Sequence, residues 1–291
     1  MTLPRPRLLL PFLALALLAA CATPAPTVTA PATPPLPYPE VTRERMLRLA
    51  MEEWQEWGRI TVRDGQPRAP AVPQESQVGN FPRVLAYWRA VEGEGRAAID
   101  RNRGRYAALL GLPGTAGGLW SEPAWSAAFV SYVMRNAGVD EREFPSSAAH
   151  AFYIDGMLAD AMAYPAQAPF VPHDIGAYAP QPGDLVCADR SRRALANWRD
   201  RLAERGQFRP MHCDIVVSAG PGEVQAVGGN IADAVTLSVF AADASGRLLA
   251  RRPGNPIWFA VFENRLGRLP PFNALPATIP VAGLSRARAP S

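Results

Sequence analysis

The chain has 291 residues, enough for one large domain or two small ones, and 48% of them are hydrophobic, so it can bury a core. Only 19% are charged, every one of the 30 basic residues is arginine, and the formal charge is +4. Two of those arginines, Arg5 and Arg7, lie in a leader expected to be removed, which leaves too little charge to point to nucleic acid.

The chain begins MTLPRPRLLLPFLALALLAAC: two arginines, an apolar run over 8–20, then Cys21. This is the order of a secretory signal over residues 1–20, and the run is too short to span a bilayer. The ending LAAC resembles the bacterial lipoprotein signal, against the alternative of a plain signal peptide with an incidental cysteine. The resemblance implies a lipidated Cys21 and stable anchoring in a membrane by its acyl chains. Ala22 rather than Asp follows, which by the same resemblance implies the outer membrane, facing the periplasm. Residues 21–40 are rich in Pro, Ala and Thr and are expected to form an extended stalk. A single α+β domain is expected over 41–275 and a loose tail over 276–291.

TRERMLRLAMEEWQEWG, from Thr42 to Gly58, places Met46, Leu49, Ala50, Trp54 and Trp57 at helical spacing, with Thr42 as cap and Gly58 as stop. FPRVLAYWRAVEG and RAAIDRNRGRYAALLG are expected to be the second and third helices. EPAWSAAFVSYVMRNAG, residues 122–138, reads as a helix buried on most sides, with Ser121 as N-cap and Pro123 in the first turn. SSAAHAFYIDGMLADAM, from Ser146, is the next. The pattern then changes to short strands: DLVCAD, HCDIVVSA, EVQAVGG, AVTLSVF and PIWFAVFEN, with turns expected at 220–222, 228–230 and 253–255. Between the first two strands lies an Arg-rich insertion, read as a solvated helix. Helices first and strands later predict helices packed on an antiparallel sheet of about five strands. With Cys21 on lipid, Cys187 and Cys213 remain, both in predicted strands. They are read as a cross-strand disulfide, the alternative being two buried thiols.

Ser126 falls in the first turn of its helix, where backbone N–H groups and the dipole favour developing negative charge. His212 opens a strand after a loop, a place from which a histidine can face a cleft as a base. Asn230 is placed to orient it, completing a nucleophile–base–orienter set. The bland alternatives are a small packing residue, a core histidine and a turn asparagine. Asp214, two residues along the strand from His212 and on the same face, is a rival orienter. Asp184 is read as a turn residue, His150 as packing or cleft wall and His173 as solvated. Arg190 is a candidate for a substrate carboxylate, or a plain surface arginine.

PAWSAAFVSYVMRNAG, QPGDLV, HCDIVV and GGNIADAVTLSVF occur in that order, and over about residues 80–265 the chain resembles the CHAP-type amidohydrolases and peptidases of the papain-like superfamily. It is most similar to uncharacterised bacterial lipoproteins within that group. The resemblance implies a papain-like fold and cleavage of peptide or amide bonds in peptidoglycan. Ser126 then takes the nucleophile position, His212 the base and Asn230 the orienting group, while Trp125 lines the cleft and Pro182-Gly183-Asp184 is structural. No metal or organic cofactor is implied. Two departures stand out. Serine replaces the family's cysteine, and a hydroxyl is far harder to deprotonate than a thiol. Gly228 stands where many relatives carry a carboxylate. Two functions from different classes follow: a serine hydrolase, or a catalytically inactive domain that binds peptidoglycan, a cell-wall peptide or a protein. A serine esterase or acyltransferase is weaker, because Ser126 lacks the Gly-x-Ser-x-Gly elbow.

Overall fold

The computed structural model describes residues 39, 41–64, 74–110 and 118–267. The signal, Cys21, the stalk and the expected tail lie outside the described residues. Within them the chain forms helices α1 (Val41–Glu56), α2 (Phe81–Arg89), α3 (Glu92–Leu109), α4 (Ser126–Ala137), α5 (His150–Ala163) and the single turn α6 (Trp198–Arg201). The strands are β1 (Thr61–Arg63), β2 (Phe170–His173), β3 (Leu185–Asp189), β4 (Met211–Gly220), β5 (Glu223–Ile231), β6 (Ala234–Ala241) and β7 (Ile257–Asn264). No helix among the described residues is long and apolar enough to cross a membrane.

The α+β class is as expected, but the sheet has seven strands in the order β1-β6-β5-β4-β3-β7-β2. It is mixed rather than antiparallel, because β1 runs parallel to β6. The five expected strands are β3 to β7; the other two are short edge strands of three and four residues, too brief for a period-2 signal. Glycine and asparagine at 228–230 do not make a turn. They continue β5, and the hairpin to β6 closes at Ala232 and Asp233, whose φ values of 50° and 58° are those of a tight two-residue turn.

The main core lies between the helices and one sheet face, where Met46, Trp57, Trp88, Trp125, Phe129 and Phe262 are buried. Met211, Cys213 and Ile215 of β4 point into it. On the other face Val186, Val216, Ala226, Phe240 and Trp258 build a smaller core. Strands buried on both faces explain why this sheet reads as apolar runs more than as alternation. Cys187 and Cys213 face each other across β3 and β4 and are joined, with an S–S distance of 2.10 Å. The Arg-rich insertion is not a solvated helix. Only 198–201 is α-helical, Arg201 is fully buried and holds Asp155 through two bonds of 2.7 Å, and Arg209 binds Asp189 at 2.8 Å.

A serine and two histidines at a sheet opening

α4 begins at Ser126 itself; Ser121 and Pro123 precede the helix, and Trp125 occupies the cap position without a side-chain cap bond. Ser126 therefore sits in the first turn, as expected, among N–H groups that have no intrahelical partner. α5 likewise begins at His150. The two helix N-termini converge, and Ser126 Oγ lies 2.6 Å from His150 Nε2. The other ring nitrogen of His150, Nδ1, bonds the Tyr153 hydroxyl, one turn further along α5. Burial, then the neighbouring His212 and Arg190, hold the His150 imidazole well below its ordinary pKa, so it is neutral at pH 7. Burial likewise pushes the Tyr153 hydroxyl well above the ordinary phenol range, so it stays protonated.

His212 is held by another group. Its Nε2 lies 2.8 Å from Asp214 Oδ1, and its ring centroid is 5.2 Å from that of His150. By alternation with Met211, Cys213 and Ile215, His212 and Asp214 occupy the sheet face opposite the main helices. The β4–β5 ladder ends at the Ile215–Val227 pair, so 211–214 runs beyond it. There the Asp214 carboxylate covers Gly228: a Cβ on that glycine would fall 1.7 Å from Asp214 Oδ1. The side chain that residue 228 lacks is thus replaced in space by a carboxylate from β4.

Asn230 bonds neither histidine, which corrects its expected role as orienter. It adopts a φ of 57°, its Oδ1 accepts from the Trp125 backbone N–H at 3.3 Å, and its Nδ2 donates to Glu75 Oε2 at 2.8 Å. Trp125 does not line the cleft. It is fully buried, stacks on Trp57 with centroids 5.4 Å apart, and its Nε1 donates to Glu75 Oε2 at 2.7 Å. Burial drives Glu75 up to about 7, against the opposing pull of its Trp125 and Asn230 donors. Nothing in the sequence around Glu75 signals this, since its partners lie 50 and 155 residues away. His150 was equally illegible as a partner of Ser126, because a histidine among Ala and Phe reads as packing. Asp184 does anchor its turn, accepting from the Gln181 and Asn264 backbone N–H groups. His173 is not simply solvated, since it pairs with Glu263 at 2.9 Å.

A cleft of about 690 Å³ opens beside these groups, within the size range of small-molecule sites. His212, Asp214, Asn230 and Arg190 line it, together with residues of β1, β6 and the start of β7. Ser126 and His150 are outside its lining, at 5% and 4% exposure. Among the described residues no group of three or more His, Cys, Asp or Glu is placed to hold a metal ion.

Fold and site together define an α+β protein with a serine–histidine contact at two helix N-termini. Residues 75–264 match the model of the family described as an uncharacterized protein conserved in bacteria, DUF2272, and the chain belongs to that family. No curated protein and no solved structure matches the chain.

Proposed function

We propose that the protein is a cell-envelope hydrolase of peptide or amide bonds, acting on peptidoglycan through Ser126. The 2.6 Å contact between Ser126 Oγ and a neutral, buried His150 carries this reading. Ser126 Oγ attacks the carbonyl carbon and its proton passes to His150 Nε2, then to the departing nitrogen. The first-turn N–H groups of α4 stabilise the oxyanion. Water, polarised by His212, whose ring is set by Asp214 on the cleft side, then attacks the acyl carbon; its proton passes to His150 Nε2 and on to Ser126 Oγ as the acyl group leaves as the acid. His150 thus takes the role that the motif order assigns to His212, and Asn230 acts by fixing the start of α4. The relation to the CHAP-type and papain-like enzymes is part of the same proposal, as is an outer-membrane lipoprotein facing the periplasm. The Cys187–Cys213 bridge supports such an oxidising compartment.

A second reading, a binding domain whose chemistry has been given up, is favoured by one observation: Ser126 is absent from the cleft lining. One experiment separates the two. The protein is incubated with purified peptidoglycan as wild type, Ser126→Ala and Ser126→Cys, and released fragments are read by mass spectrometry. Release by wild type and not by the alanine variant is the expected result. Release by the cysteine variant alone leaves the binding domain.

A further inference from the structure

The charges around the cleft are unevenly matched. Its lining holds three carboxylates, and each is already engaged: Asp64 by Arg251 at 2.8 Å, Asp189 by Arg209 at 2.8 Å, and Asp214 by His212 at 2.8 Å. Of its four arginines, Arg251 is spent on Asp64 and on the rings of Phe240 and Trp258, and Arg63 pairs with Glu223 at 3.0 Å. Arg190 and Arg192 remain. Both are exposed, both follow β3 on one wall, and among the described residues neither guanidinium has a carboxylate partner. Their segment is held in place from beneath, because Asp189 accepts from the Ser191 and Leu195 backbone N–H groups, each at 2.8 Å. Two fork-shaped donors on a braced loop suit a carboxylate, which a guanidinium binds through paired bonds.

We propose that Arg190 and Arg192 form a carboxylate subsite at the cleft wall, and that the substrate is a peptide with a free carboxylate beside the bond to be cut. The second half of this proposal rests on the hydrolase reading; the first does not. Arg190 also acts electrostatically on His150. A carboxylate seated on Arg190 would partly neutralise it, easing protonation of His150 during attack.

The test is calorimetric titration of the full chain carrying Ser126→Ala, which prevents turnover. The probes are N-acetyl-alanyl-alanine and the same dipeptide as its C-terminal amide. The acid is expected to bind about tenfold or more tightly than the amide, as suits charge-assisted bonds. Arg190→Gln with Arg192→Gln erases that preference and leaves the amide unchanged, while Arg190→Lys keeps part of it. Equal binding of acid and amide overturns the proposal, as does a preference that survives the double glutamine variant, or no binding of either probe. Failure of the hydrolase reading is separate. A preserved acid preference without peptidoglycan release strikes that reading alone, and release without the preference strikes the subsite alone.

Discussion

Ser126, His150 and Tyr153 form a buried polar chain in which each hydroxyl and ring nitrogen has a partner. A serine in such a setting gains nucleophilicity only at the moment of attack, when its proton moves to the imidazole. Ser126→Ala should therefore abolish peptidoglycan release with the fold retained, at a cost of about 1–3 kcal/mol in urea unfolding, since it strands the buried His150 Nε2. Gly228 offers a sharper test of the cleft. Gly228→Ala drives a methyl group into Asp214 and should destabilise the protein by about 1–3 kcal/mol in urea unfolding. In an Asp214→Ala background the same substitution should cost much less, so the two changes are coupled. That coupling would identify the carboxylate as the reason for the glycine. The sequence displayed Asp214 and Gly228 as separate curiosities. Their shared space depends on where β4 and β5 stop pairing, which no local pattern records.

The start of α4 is pinned from three directions, by Asn230, Glu75 and the Trp125 ring. Asn230→Ala removes two side-chain bonds and puts a Cβ residue without local hydrogen bonding at positive φ, so a loss of about 2 kcal/mol is expected; Asn230→Gly relieves the backbone part. Glu75 makes this pin pH-sensitive. Its folded carboxyl, raised to about 7 by burial, holds its proton more tightly than the unfolded chain does. Its contribution to stability is thus full at low pH and is lost as pH rises from about 4.5 through 7. Glu75→Gln should keep both donors satisfied and remove that loss, adding about 1–3 kcal/mol at pH 8 and little at pH 4, measured by urea midpoints. The long elements around this pin were legible because Met46, Ala50, Phe129 and Val133 repeat at helical spacing and Gly138 stops α4. The pin itself joins residues 75, 125 and 230 and has no sequence signature.

Across the whole molecule, the region 190–210 is fastened by contacts that a reader of charge runs takes for solvated. Asp155 and Arg201 are both fully buried and bonded through two oxygens, with the Gly206 N–H on the same carboxylate. Removing one partner strands a buried charge, so Asp155→Ala should cost about 3–5 kcal/mol and open 190–210 to proteolysis. The disulfide adds a constraint on the unfolded chain. With its two cysteines 26 positions apart in the sequence, replacing both by alanine should cost about 3 kcal/mol in denaturant unfolding. The sequence allowed two cysteines in neighbouring strands; only the register, with Cys187 opposite Cys213, joins them.

The two shortest strands lie at the two edges of the sheet. β1 closes the β6 edge with three residues, and β2 closes the other side with four, one of them Pro172. A brief edge, or one interrupted by proline, is a poor template for another chain. Loss of β1 would bare Leu237–Val239 on the edge of β6, and the first consequence would be colloidal: molecules adding edge to edge through that strand.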